Sequence, residues 1–562
     1  MRPTLCGNRQ AVSAGHYLAA AAGHEILEAG GNAIDAGCCA GMALAVLHAD
    51  EVDFAGVAPI IIRLASGEVV TIAGLGHWPK SIPADLFMRE HGGQLPTGVL
   101  RTVVPAAPDA WITALKHYGT MSFGEVAQAA IEYARDGFSI FQYLASAIEH
   151  GADSLRKWPS NAKVFLPEGR PLQLGERLKQ TDLAATIQFM ADAEAAASKH
   201  GREAGLEAAR AAFYKGDIAD QIVAHMKDYG GYLSRDDLAN FHSPIGKPIS
   251  GQWRDFSVFT CGPWCQGPTL IQCLTLMETL GLKDMRHADG EYHHLIIEAM
   301  KCVFADREYY YADPDHVDVP LDWLHSDENA TAWAKRISRD QAMPEMPVPN
   351  RIDTPMMLKP TDGIPDRDPD TSYLCAIDRW GNAFSATPSD GGFRSPMVQG
   401  LGIIPSPRGM QSRPDPTHPS GVGPGRRPRL TPNPAIALRD DGTVVAFGAP
   451  GGDAQVQAML QVFLNIYHFG MGVQEAIDAP RVITHNFPSS FYPNNYFPGY
   501  VSLESRVSAQ VQDVLAARGH RLDLYPAYTR NCAAVELIAA DPVSGFLSAG
   551  ADPRQPAYAI VR

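Results

Sequence analysis

DPDTSYLCAIDRWGNAFSATPSDGG, residues 368–392, joins two kinds of sequence at one point. Upstream, residues 341–370 read QAMPEMPVPNRIDTPMMLKPTDGIPDRDPD, dense in Pro and Asp with no apolar period. That composition predicts an exposed, mobile linker ending at Asp370. Downstream the pattern becomes strand-like. Tyr373–Ile377, a turn over Asp378–Asn382 and Ala383–Ala386 predict a hairpin. Thr371 therefore opens a sheet strand directly after the linker. If the chain is cut before Thr371, that residue gains an α-amine with a pKa of roughly 7.7–8 beside its own hydroxyl. Amine and hydroxyl then form a base and nucleophile within one residue. The uncut chain could cut itself when the same hydroxyl attacks the Asp370 carbonyl, which makes Asp370–Thr371 the candidate cleavage site. A linker running into an ordinary strand would carry the same dipeptide, so a second element is needed.

Further along, a Pro/Gly/Arg-rich loop over 405–433 leads to a second predicted hairpin, Ala435–Leu438 and Val444–Phe447. Gly448-Ala449-Pro450-Gly451-Gly452 follows and opens a helix over about 453–468. Consecutive glycines let backbone N–H groups converge, and a helix N-terminus favours negative charge. This suits an oxyanion hole. A tight strand-to-helix turn is the plain alternative. A phosphate loop is disfavoured because no Gly-Lys-Ser/Thr follows. Towards the N-terminus, 16–48 predicts two helices broken at Gly30-Gly31, the second capped by Asn32. Ile60–Leu64 and Val69–Ile72 predict a hairpin, 105–240 is mainly helical, and Phe256–Cys261 is a strand before a helix over about 268–280. Sheets with helices outside them suggest a layered α/β sandwich.

Composition bounds the function. The chain has 562 residues, 45% of them hydrophobic, and a net charge of −15. The acidic balance argues against nucleic acid or an anionic membrane as the main partner. Nine scattered cysteines read as free thiols in a reducing compartment, with Cys38–Cys39 in the core. Cys261 and Cys265 lack the second ligand pair of a zinc site. No signal peptide and no run of roughly 18–20 apolar residues is seen, so a cytoplasmic protein is expected. His16, His77 and His150 are expected to be structural or surface residues.

Taken together, the chain resembles the γ-glutamyltransferase family of N-terminal-nucleophile hydrolases. The similar stretches are GHYLAAAAGHEILEAGGNAIDAGCCAGMALAV (15–46), VVPAAPDAWITALKHYGTMSFGEVAQAAIEYARDGFSI (103–140), TSYLCAIDRWGNAFSAT (371–387), RPRLTPNPAIAL (427–438) and GAPGGDAQVQAMLQVFLNIYHFGMGVQEAIDAPRV (448–482). The resemblance implies an α+β fold, a four-layer αββα sandwich. It places Thr371 on the nucleophile, Thr387 on a hairpin threonine, and Ser389 on the threonine that contacts the nucleophile's amine. Gly451 and Gly452 fall on the oxyanion-hole glycines, and Thr431 on the second of a substrate-side serine pair. It also implies a large segment 1–370 and a small segment 371–562, folded as one intertwined unit and partnered as a heterodimer, with a dimer of such heterodimers left open. No metal or cofactor is implied.

The departures concern substrate. Leu75 stands where the family has the arginine that clamps the glutamyl carboxylate, and Leu430 takes the first serine's place. Tyr373 replaces a histidine, and 404–411 carries no acid for a substrate amine. Arg408, Arg429 and Arg394 leave the site basic, and guanidinium forks suit carboxylates. Thr431, Tyr373 and Asn433 complete the expected substrate-binding set. The variant resembles members that hydrolyse oxamate, so a small amide with a carboxylate close to the scissile carbonyl is the expected substrate. The alternatives are a γ-glutamyl hydrolase or transferase with an altered pocket, an oxalyl C–C hydrolase, and an unprocessed, inactive homologue acting as a binding protein.

Overall fold

The computed structural model describes residues 2–365 and 370–562 of the uncut chain. Two seven-stranded antiparallel sheets stack face to face. The first runs β14 (Tyr558–Val561), β2 (Ala11–Ala14), β8 (Leu374–Ile377), β9 (Ala383–Ala386), β3 (Ile60–Arg63), β4 (Val69–Ile72) and β5 (Ile245–Gly246). The second runs β1 (Leu5–Gly7), β13 (Phe546–Gly550), β12 (Glu536–Asp541), β11 (Val444–Gly448), β10 (Ala435–Arg439), β7 (Phe256–Thr260) and β6 (Ile249–Trp253).

Alternate residues of each strand face opposite ways, and here both ways lead into core. Ile61, Tyr373, Cys375 and Ile377 meet Ile436, Ala446 and Ile538 between the sheets. Ile60, Ile62, Leu374 and Ala376 turn outward against helices α1 (Tyr17–Glu28) and α2 (Ala33–Leu47). Ala435, Ala437, Val445 and Phe447 turn outward on the far side, against α3 (Pro268–Thr279), α4 (Gly290–Tyr310) and α5 (Ala454–Tyr467). The order is therefore α, β, β, α, as expected. Burial on both faces explains why the central strands read as nearly continuous apolar runs.

Helix α2 is buried along its whole length. Its small residues permit this: a Cβ on Gly37 would lie 2.1 Å from the Phe384 ring. Asn32 and Asp35 form a capping box at its start. The hairpin turn reaches the same point, where Asp378 Oδ2 accepts the Ala33 N–H at 2.9 Å. A carboxylate there also complements the positive end of the helix.

The stretch 341–365 carries no helix or strand, as expected, but it is tied to the body. The Met346 N–H donates to the Tyr496 hydroxyl, Met356 N–H to the Tyr309 hydroxyl and Thr361 N–H to the Tyr496 carbonyl. The last part of the expected linker, 366–369, lies outside the described residues. All nine cysteines are free and all but Cys6 are buried. No helix among the described residues is long and apolar enough to cross a membrane.

Candidate active site

The β8–β9 hairpin brings the start of one strand beside the end of the other, with Leu374 opposite Ala386. Past both ends the chain keeps company: the Ser372 N–H donates to the Pro388 carbonyl at 3.0 Å. One step further, Thr371 Oγ1 and Ser389 Oγ lie 2.7 Å apart, both fully buried. The Thr371 backbone has φ 100°, a region a β-branched residue enters only at a cost of about 1–3 kcal/mol. What holds it there is the Glu51 carbonyl, which accepts N–H bonds from Thr371 (3.1 Å) and from Asp390 (2.9 Å). Asp390 itself has φ 144°. The Glu51 side chain is anchored in turn by the Tyr143 hydroxyl (2.7 Å) and by Arg530.

Around this pair lies a buried charge cluster. Arg408 Nη2 donates to Asp370 Oδ1 at 2.9 Å and to Ser389 Oγ at 2.5 Å, while its Nε donates to Asp390 Oδ1 at 2.6 Å. Ser389 Oγ donates to the same Asp370 oxygen at 2.6 Å. Arg408 Nη1 is buried without a partner among the described residues. Burial opposes the charge on Arg408, but Asp370 and Asp390 hold it above its ordinary value. Burial pushes the Asp390 carboxyl up to about 6; Arg408 pulls against that shift and Asp370 adds to it.

The glycine turn abuts the same place. Gly451 and Gly452 have φ 114° and 58°, left-handed values natural to glycine. Gln455, in the first turn of α5, comes within 3.4 Å of Thr371 Oγ1. Gln266 Nε2 donates to the carbonyls of Gly452 and Thr431, each at 2.9 Å, tying the turn to the 405–433 loop. Thr431 Oγ1 accepts from Gln411 at 2.8 Å, and Asn433 Nδ2 donates to the Thr431 carbonyl at 3.1 Å. A cavity of about 320 Å³ opens here, lined by Asp370, Arg394, Gly451, Asp453, Phe491 and Arg530 among others. Asp370 faces this cavity with the buried Thr371 next to it in the chain.

The expected site residues thus fall into two groups. Thr371, Ser389, Asp370 and Arg408 are joined by direct hydrogen bonds, and Thr431, Asn433, Gly451 and Gly452 line up beside them. Thr387 follows β9 with its hydroxyl buried and unpartnered among the described residues. Two others are engaged elsewhere. Arg429 donates to Glu308 (2.7 Å) and to the Arg307 carbonyl (2.8 Å). Burial would raise the Glu308 carboxyl, but Arg413 and Arg429 hold it well below its ordinary value. Tyr373 sits between the sheets, its hydroxyl 2.7 Å from Ser385 Oγ. Leu75 and Leu430 share one buried apolar cluster with Val57, Trp264 and Cys265.

Sequence reasoning passed over Glu51, Asp390, Gln455 and Arg530. Asp390 and Gln455 lie inside the two stretches it singled out. Glu51 and Arg530 are 479 positions apart, and no local pattern links them.

A family model described as gamma-glutamyltranspeptidase matches residues 19–561. The acylase ACY 1 proenzyme of Pseudomonas sp. (strain SE83) is 31% identical, covering 92% of this chain and 88% of its own. The glutathione hydrolase-like YwrD proenzyme of Bacillus subtilis (strain 168) is 28% identical over the full length of both. Among solved structures, LmbA2991HD matches with a TM-score of 0.92 and 34% identity, covering 100% of both chains. The cephalosporin acylase from Bacillus halodurans matches with a TM-score of 0.85 and 28% identity, covering 100% of this chain and 97% of its own.

Proposed function

This chain belongs to the gamma-glutamyltranspeptidase family and is an amide hydrolase, and from that premise we propose that Thr371 is both its self-cleaving residue and its nucleophile. In the uncut chain Thr371 Oγ1 attacks the Asp370 carbonyl. The C–N bond breaks, an ester forms on Oγ1, and the freed nitrogen becomes the α-amine. Water then cleaves the ester, leaving segments 1–370 and 371–562. In turnover the α-amine takes the hydroxyl proton while Oγ1 attacks the substrate amide. The N–H groups of Gly451 and Gly452 stabilise the oxyanion. Ammonia or an amine departs with the proton, and water releases the acid. The observation that carries this proposal is the fully buried Thr371 hydroxyl, 2.7 Å from Ser389 Oγ and directly after Asp370.

The substrate class in this proposal is a small amide with a carboxylate close to the scissile carbonyl, a series in which oxamate is the shortest member. Its support is Arg408, a buried fork one hydrogen bond from Ser389, and the apolar filling at Leu75 and Leu430. A glutamyl head group would leave its own carboxylate unpaired against that filling. The relative named a glutathione hydrolase-like proenzyme favours a second proposal, γ-glutamyl hydrolysis, and a chromogenic γ-glutamyl anilide separates the two.

Intact mass after incubation at neutral pH tests the nucleophile. The wild-type chain should give fragments of 370 and 192 residues, the smaller beginning at Thr371. Thr371→Ala should stay one 562-residue chain with no amide hydrolysis. A cut or active alanine variant would remove Thr371 from the mechanism.

A further inference from the structure

We infer that Asp370 is a built-in template for the substrate's acyl group, so that the mature enzyme prefers amides in which two carbons separate the scissile carbonyl from a carboxylate held by Arg408. This rests on the proposal that Thr371 is the nucleophile for a carboxylate-bearing amide. Self-cleavage and turnover pass through the same kind of species, an ester on Thr371 Oγ1. In self-cleavage the acyl group of that ester is residue 370. Its carbonyl carbon is followed by Cα, Cβ and then the carboxylate, a four-carbon, succinyl-like unit. Asp370 Oδ1 accepts from Arg408 Nη2 at 2.9 Å and from Ser389 Oγ at 2.6 Å.

When the cut segment leaves, that carboxylate leaves with it. Arg408 stays fixed through Nε on Asp390. One Nη2 N–H is then freed while the other still reaches Ser389 Oγ, and Nη1 has no partner among the described residues. The freed Nη2 N–H then points where the Asp370 carboxylate stood and can take one incoming carboxylate. Asp370 also lines the cavity, so its departure opens Arg408 to incoming substrate.

The test uses the self-processed wild-type enzyme and the half-amides of oxalic, malonic, succinic and glutaric acids, with ammonia release as readout. kcat/KM should peak at succinamate, about tenfold or more above both neighbours, since one methylene alters discrimination by roughly 10–200-fold. Succinamide, which lacks the carboxylate, should be turned over at least tenfold more slowly. A maximum at oxamate, or equal rates for succinamide and succinamate, would overturn the template while leaving a small-amide hydrolase standing. No turnover of any half-amide by processed enzyme would overturn the substrate class itself, and the template with it.

Discussion

Asp390 gives the residue scale its sharpest test, because its carboxyl is buried beside Arg408, which also serves Asp370. Its pKa rises from 3.8 to about 6. A carboxyl raised on folding contributes stability that is fully present below its unfolded pKa and lost as pH rises through the folded one. The window here is about pH 4 to 6. In the uncut Thr371→Ala protein, Asp390→Asn removes this titration. Relative to Thr371→Ala alone, the double variant should gain about 2 kcal/mol between pH 4 and 7.5. Urea midpoints at the two pH values measure it, and a pH-independent difference would contradict a raised carboxyl. Local signs drew attention to Thr371 and the two glycines, a hydroxyl after a linker and glycines before a helix, but their roles came from the resemblance to a family. Glu51 carried no such sign, because its part is to hold the Thr371 and Asp390 backbones through its carbonyl, and a carbonyl has no residue signature.

Among the elements, α2 shows where propensity and packing pull apart. An interior glycine costs a helix about 1 kcal/mol relative to alanine, so Gly37→Ala should help the isolated helix. In the fold its Cβ would lie 2.1 Å from the Phe384 ring, and Phe384 belongs to β9, the strand that leads to Ser389. Overpacking of a tight core costs about 1–3 kcal/mol and outweighs the gain. Gly37→Ala should lower the urea midpoint and slow self-cleavage by displacing the hairpin. Gly124→Ala, whose Cβ meets nothing nearer than 3.5 Å, should leave both unchanged or raise stability slightly. If the two alanines behave alike, close packing is not the reason for Gly37. The hairpins and α1–α2 could be read from periodicity and turn residues. Helix α4 could not: nearly every residue from Tyr292 to Tyr309 is buried, including Glu298, Lys301, Asp306 and Arg307, so no polar face marks it.

At the scale of the whole molecule, the position of the cut matters less than the way the strands are shared. The first sheet places β2 from the large segment between β14 and β8 from the small one, and β9 beside β3. The second sheet pairs β1 with β13 and β7 with β10 across the same division. The C-terminal carbonyl region closes the arrangement, since Arg562 O accepts N–H bonds from Asn8, Arg9 and Gln10. The proposed cut before Thr371 would therefore sever one peptide bond and none of these ladders. A released small segment would expose the buried faces of β8 and β9 together with unpaired strand edges, which water does not compensate cheaply. The processed enzyme is expected to run as one particle in native gel filtration and as two bands only after denaturation. Its unfolding should be a single transition, with both segments lost together. If the small segment eluted alone in native buffer, or melted separately, the sheets would not be the bond between the halves, and the template left at Arg408 would have to form on an independent small domain.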